Sequence, residues 1–483
     1  MDRFAKIVCT LGPSSNTYDT IKALIKAGMN VARLNFSHGT YEGHGKMIDL
    51  IRQLSEETGI PITILQDLQG PKLRIGKLPN EKMELVAGDR VTLSSSEDFA
   101  ADDFDKFIPF EVPDLHKALA PGNHILLDDG HLEMEVESVD GEKIEATVTL
   151  GGILKSHKGV NLPGANLTIP IFTKKDREDL RFGLEKDIDM VAISFIKSAQ
   201  DVETVRQAIY ELAPTKEIAK TPIIAKLERP EALNELEEIM RVTDGVMVAR
   251  GDLGVEMSPA AVPIAQKEII SCANSHGKIV ITATQMLDSM INNPRPTRAE
   301  ATDVANAIFD GTDAVMLSGE TAAGNYPVDS VKMMDSIVLR AETHLDRWGK
   351  TFQLMDVEIQ SDSISITRAA KELANDRNVV AIVVFTQSGK TARLMSKARP
   401  HVPILAFTPN QNTYQLMNMY WGVKPLLVPY ADTLETMIKH VETAIATTTD
   451  LQQGQQIILI SGFPVGAYKQ PNLALLYTLG DIC

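Results

Sequence analysis

Cysteine is scarce: only Cys9, Cys272 and Cys483 occur in 483 residues. Their wide spacing leaves no Cys-x-x-Cys motif for metal or redox work. So sparse a set builds no disulfide framework, which fits a reducing compartment. No apolar run approaches the length needed to cross a bilayer. Met1–Lys6 shows no apolar h-region, so the expectation is a cytoplasmic protein without a signal peptide. Basic charge is also in deficit, with 48 Lys and Arg against 64 Asp and Glu and a net charge of −16. That balance argues against nucleic-acid and membrane partners, while leaving room for a local basic pocket. Solenoid repeats and low-complexity tracts are absent.

What is present is an ordinary globular composition, 44% hydrophobic and 23% charged. The length predicts two or three domains, each with its own core. Strand and helix signals alternate from the start. Strands are predicted at Lys6–Gly12, Asn30–Phe36 and Pro61–Asp67, with helices at Ser14–Gly28 and Tyr41–Thr58. From Gly70 the helical period fades, and short alternating segments follow between turn signals: Met83–Val86, Arg90–Leu93, His124–Leu127, Leu132–Val139 and Lys143–Thr149. The acidic stretch Glu97–Asp105 reads as a solvated loop. The rhythm resumes with strands at Asp189–Phe195, Pro222–Glu228, Gly245–Asp252, Lys278–Gln285 and Asp313–Glu320. Helices are predicted at Pro230–Arg241, Pro259–His276 and Thr297–Asp310, and from Pro327 to Trp348. Eight such units favour a closed (β/α)₈ barrel over an open sheet. A further α/β unit has strands at Val379–Phe385, Pro403–Phe407, Lys424–Val428, Gln456–Ser461 and Leu473–Leu479. The expected organisation is a barrel from 1–69 and 168–348, an inserted small all-β domain from 70–167, and a C-terminal α/β domain from 349–483.

Barrel enzymes place their chemistry at the C-terminal ends of the strands. Those ends carry Arg33, Asn35, Ser37 and His38, then Asp67, Lys72 and Arg74. They continue with Lys226 and Glu228, then Arg250, Gly251 and Asp252, then Thr284 and Gln285, and finally Ser318 and Glu320. Lys226 and Glu228 share a strand face by alternation. Alone, that pair reads as a surface ion pair; charged ends converging from six strands do not. Glu228 and Asp252 form an oxygen-only donor pair suited to Mg²⁺ or Mn²⁺. The absence of clustered His or Cys argues against zinc. Lys226 suits charge growing on an enolate or phosphoryl oxygen, Arg33 and Arg74 suit phosphate, and Gly251 allows close approach of an anion. The residues read as a Mg²⁺ barrel enzyme for a phosphorylated, enolisable acid. Two motifs have simpler readings. Thr297 and Glu300 fit a capping box. Ser388-Gly389-Lys390-Thr391 ends like a P-loop, but Val384 stands where Walker A requires glycine. Its backbone amides suit phosphate; alternatively Ser388 caps the following helix.

The stretches NVARLNFSHG (30–39), IIAKLE (223–228), VMVARGDLGV (246–255), TATQMLDSM (282–290), RPTRAEATDVAN (295–306) and MLSGETAAGNY (316–326) resemble the pyruvate kinase family over essentially the whole chain. The resemblance implies phosphoryl transfer from phosphoenolpyruvate to ADP, in a homotetramer whose insert is a mobile lid. It implies that Lys226 stabilises the transition state and that Glu228 and Asp252 hold Mg²⁺. Arg33, Lys226, Gly251, Asp252 and Thr284 would contact phosphoenolpyruvate, with Thr284 near the face where the enolate is protonated. Asn35, Phe36, Ser37, His38 and Arg74 would bind the nucleotide, and Lys158 would close over it.

The family's K⁺ site falls on Asn35, Ser37 and Asp67. Many members continue with a threonine and, a few residues on, a glutamate; here Leu68 and Lys72 stand there. Lys72 is expected to replace the K⁺ charge, giving K⁺-independent activity. The Asp-Leu-Gln-Gly-Pro-Lys pattern resembles the bacterial branch activated by AMP or sugar monophosphates. Ser388, Gly389, Lys390 and Thr391 match the family's effector phosphate loop. Two rival readings are a Mg²⁺ lyase or aldolase acting on a 2-keto acid and a catalytically silent metabolite sensor. The nucleotide-side residues count against the first, and intact Lys226, Glu228 and Asp252 against the second.

Overall fold

The structure, a computed structural model, describes residues 3–71, 73–95, 106–111, 115–165, 170–350, 362–467 and 469–481. Lys72, Cys483, the acidic stretch Glu97–Asp105 and the expected boundary at 167/168 lie outside these residues.

Eight parallel strands close into a barrel. Around it they run Lys6–Thr10, Ala314–Leu317, Ile279–Ala283, Gly245–Ala249, Ile223–Leu227, Met190–Ile193, Thr63–Asp67 and Val31–Asn35, and back to the first. Both faces of such a sheet are covered, which explains near-continuous apolar runs rather than alternation. Val8, Val31, Leu65, Met190, Ile224 and Met247 fill one buried cluster. Cys9, Leu34, Ile64, Val191, Val248 and Val280 pack in another, with apolar stripes of the helices. The helix Tyr41–Thr58 starts and stops where its caps predict, at Thr40 and at Gly59 with φ 65°. Thr297 and Glu300 form the predicted capping box on the helix Arg298–Asp310. The predicted helix Pro230–Arg241 is instead two short helices, Glu231–Asn234 and Leu236–Val242.

The insert leaves the barrel after Thr63–Asp67 and returns before the helix Lys174–Glu185. It holds a six-stranded sheet in the order Val160–Asn161, His124–Leu127, Leu132–Asp140, Lys143–Leu150, Arg90–Ser94, Phe107–Pro109, and a two-stranded sheet of Gly152–Lys155 with Lys82–Leu85. Phe107–Pro109 and Val160–Asn161 carry too few residues for a visible period, and sequence patterning missed them and Gly152–Lys155.

The C-terminal sheet runs Val423–Leu427, Ile404–Thr408, Ala381–Phe385, Gln456–Ser461, Leu473–Thr478, parallel except for the last pair. Pro425 is tolerated because its strand is an edge. This unit docks on the floor of the barrel, at the N-terminal ends of the strands. Lys397 Nζ lies 2.5 Å and Arg399 Nη2 2.8 Å from the carboxylate of Asp313. Asn418 Nδ2 donates to Asn30 O at 2.9 Å, and Ile62 N donates to Gln415 Oε1 at 3.0 Å. No helix among the described residues is long and apolar enough to cross a membrane.

Candidate active site at the barrel mouth

Strand register sets the first contacts. Pairing of Val31–Asn35 with Thr63–Asp67 puts Asn35 opposite Asp67. Arg33 reaches the same carboxylate, with Nε and Nη2 each 2.6 Å from Asp67 Oδ2, while Nη1 donates to Thr10 Oγ1 at 2.9 Å. Lys226 Nζ lies 2.9 Å from Glu228 Oε1 and 3.2 Å from Asp67 Oδ1, and donates to Ser194 Oγ at 2.8 Å. Its side chain is 11% exposed and that of Glu228 only 2%. A surface ion pair is therefore excluded.

Burial alone would lower the Lys226 ammonium, but Asp67 and Glu228 outweigh it and hold the group above its ordinary value. Burial likewise works to raise Asp67, and Lys226 with Arg33 keep it below the usual carboxylate range. Glu228 goes the other way. Burial pushes it up to about 7, with Asp252 adding to the shift and Lys226 opposing it. Glu228 and Asp252 line one cavity and offer only oxygen donors. A buried carboxylate beside a second one favours added positive charge, and these residues fit a hard divalent cation.

Several strand ends leave ordinary backbone geometry. Phe195, Thr284 and Gln285 have φ of 59°, 66° and 53°. Such values are costly outside glycine, and rare for a β-branched residue like threonine. The twist at Phe195 turns its N–H onto Glu228 Oε2 at 2.7 Å. At Thr284 it sets Oγ1 to accept from Gly251 N at 2.7 Å. Arg250 brackets this turn, donating to Thr284 O at 2.8 Å and pairing with Asp303 at 2.6 Å. Arg250, Gly251 and Asp252 are not a strand continuation. Ladder pairing stops at Ala249 opposite Ala283, and the chain turns directly into the helix Arg250–Glu256.

Arg33, Asn35, Ser37, Lys226, Glu228 and Asp252 share the cavity at the mouth. Other expected residues sit around rather than on it. Phe36 is buried with its ring stacked on His44, centroids 4.1 Å apart, and the His38 carbonyl meets His44 Nε2 at 2.8 Å. Arg74 donates to His157 O at 2.6 Å and Lys158 pairs with Asp128 at 2.6 Å, both within the insert. Thr284 and Gly251 flank the cavity through their mutual hydrogen bond. Sequence reasoning missed Ser194, although it lies near the end of the predicted strand Asp189–Phe195. It also missed Asn161 of the insert, whose Nδ2 donates to Glu256 Oε1 at 2.9 Å and clasps the insert to the barrel.

At the second candidate site, Gly389 with φ 76° is the N-cap of the helix Lys390–Ala398. Ser388 does not cap it; Thr386 Oγ1 accepts from Gly389 N at 3.1 Å instead. Thr386, Ser388, Lys390, Thr391, Ser461 and Lys469 line a separate cavity there. A third grouping corrects the view that His and Cys do not cluster. Glu237, Cys272 and His276 come together in the outer helical layer of the barrel.

Two family models match the chain: "Pyruvate kinase, barrel domain" over residues 2–331 and "Pyruvate kinase, alpha/beta domain" over residues 364–476. The chain is 43% identical to a pyruvate kinase of Geobacillus stearothermophilus, spanning 100% of this chain and 81% of that protein. It is 42% identical to one of Staphylococcus aureus, over 99% and 81%. A crystal structure of a pyruvate kinase from Cryptosporidium parvum superposes with a TM-score of 0.90 at 34% identity, over 99% of this chain and 96% of that one.

Proposed function

The chain belongs to the pyruvate kinase family and is a phosphotransferase; on that premise we propose how its residues divide the transfer of a phosphoryl group from phosphoenolpyruvate to ADP. The observation that carries the reading is the buried constellation of Arg33, Asp67, Lys226 and Glu228 at three strand ends. Phosphoryl transfer asks for positioning and charge neutralisation more than for covalent help. Arg33, fixed by Asp67, grips the substrate phosphate with its remaining donors. Lys226 meets the charge on the phosphoryl oxygens as the bond to the enol oxygen breaks and the bond to the ADP β-phosphate forms. The enolate left behind takes a proton at carbon on the face near Thr284, which gives pyruvate. Glu228 and Asp252 would hold Mg²⁺ or Mn²⁺, which supplies charge neutralisation to the reacting oxygens. Asn35, Phe36, Ser37, His38 and Arg74 form the nucleotide side. The insert, with Lys158, acts as a lid that excludes water.

The setting is cytoplasmic and the assembly a homotetramer. The Ser388–Thr391 loop binds a phosphorylated activator, AMP or a sugar monophosphate, which favours a state with higher phosphoenolpyruvate affinity. The cavity over that loop supports this reading. K⁺ is not required. Leu68 and Lys72 replace the residues that accompany a K⁺ site, and both oxygens of Asp67 already face cations of the chain.

The test is a lactate dehydrogenase-coupled assay with phosphoenolpyruvate, ADP and Mg²⁺ in tetramethylammonium buffer. Turnover dependent on ADP is expected; cleavage of a 2-keto acid without nucleotide would favour a lyase. A large rise on adding KCl would overturn K⁺ independence alone.

A further inference from the structure

Cys272 and His276 lie one turn apart at the C-terminal end of the helix Val262–Ser275, with His276 its C-cap residue. Glu237 faces them from the neighbouring helix Leu236–Val242. Its two oxygens divide between them: Oε1 is 3.5 Å from Cys272 Sγ and Oε2 is 3.0 Å from His276 Nε2. The other ring nitrogen, Nδ1, meets the Cys272 carbonyl at 2.9 Å. One ligand atom from each residue lies within 4.8 Å of the other two.

We propose that Cys272, His276 and Glu237 bind a borderline-soft divalent transition metal of the zinc type, apart from the barrel mouth. Thiolate, imidazole and carboxylate are the donors such an ion takes, and three protein ligands leave one tetrahedral position for water. Metal–ligand bonds of about 2.0–2.3 Å require ligand atoms roughly 3.3–3.7 Å apart. Sγ–Oε1 and Nε2–Oε2 approach that spacing through different oxygens, Sγ lies 3.7 Å from Nδ1, and Glu237, more exposed than His276, has the freedom to turn one oxygen toward both. The Nδ1 contact to a backbone carbonyl is the outer support that fixes a ligating imidazole with Nε2 turned to the metal. Such an ion takes cysteine as the thiolate, so binding displaces the thiol proton. Hard ions such as Mg²⁺ do not compete, since sulfur is a poor ligand for them. The ion ties the helix Leu236–Val242, which follows the strand bearing Lys226, to the helix Val262–Ser275, which precedes the strand Ile279–Ala283.

Titration of the full chain with Co²⁺ in excess Mg²⁺ tests this. Sulfur-to-cobalt charge-transfer absorption is expected to saturate at one Co²⁺ per chain. Cys272→Ser should abolish the band, His276→Gln should weaken binding at least tenfold, and Cys9→Ser and Cys483→Ser should leave it unchanged. No band at stoichiometric Co²⁺, or a band that survives Cys272→Ser, overturns the proposal. Co²⁺ held by Glu228 and Asp252 has no sulfur ligand and gives no such band, so the result is independent of the reading of the barrel mouth.

Discussion

Lys226 reaches past the strand Met190–Ile193 to place its Nζ 3.2 Å from Asp67 Oδ1, two strands away around the barrel. The same ammonium touches Glu228 on its own strand end. One cation therefore sits between two buried carboxylates while Arg33 shares one of them, and the charges are placed before any substrate arrives.

Lys226→Met should lower kcat by about 10²–10³-fold, the usual cost of removing one preorganised electrostatic group. KM for phosphoenolpyruvate should change much less. A loss below tenfold in the coupled assay would show that Lys226 does not meet the transferring group.

Asp67→Ala leaves Arg33 and Lys226 without their shared buried partner. Removing one member of a buried charge set costs roughly 3–5 kcal/mol. Urea denaturation should show that loss as a lower midpoint with little change in slope. A cost under about 1 kcal/mol would mean that the cations relax into water.

Asp189 lies away from the mouth, just before the strand Met190–Ile193. Burial pushes its carboxyl up to about 6 even though Arg52 and the Ile64 amide favour the ionised form. The unfolded chain releases this proton near pH 4, so between about pH 4 and 6 the folded protein holds the extra proton. Its contribution to stability therefore falls as pH rises through that window. Wild-type Tm minus Asp189→Asn Tm should decline from pH 4 to pH 6 and level off above 7. A difference that does not vary with pH would rule this out.

Lys390→Glu should leave basal turnover intact and remove activation by AMP or by a hexose monophosphate. The readout is the phosphoenolpyruvate half-saturation concentration with and without activator. An activation as large as in the wild type would place the effector elsewhere.

Local pattern made much of this legible. The alternation of buried strands with capped helices specified the barrel. Alternation within the predicted strand Pro222–Glu228 put Lys226 and Glu228 on one side. What pattern cannot see is chain meeting chain without a local signature. The Asn161–Glu256 clasp joins residues far apart in sequence, and the Glu237–Cys272–His276 group needs two helices to pack. Only its Cys272–His276 half, four residues apart on a predicted helix, could have been read in advance. The left-handed backbone at Phe195 and Thr284 was also invisible, because neither residue type advertises it. Tertiary contacts hold both, and both aim groups at the mouth.

The floor of the barrel and its mouth are separated by very little protein. Between Asp313, clamped by Lys397 and Arg399, and Ser318 at the rim runs only the strand Ala314–Leu317. At about 3.3 Å per residue that is a rod of roughly 13 Å. Lys397 lies at the far end of the helix that starts at Lys390. Helix and strand form a short lever train with stiff members, in which little slack is available to absorb a displacement before it reaches the rim.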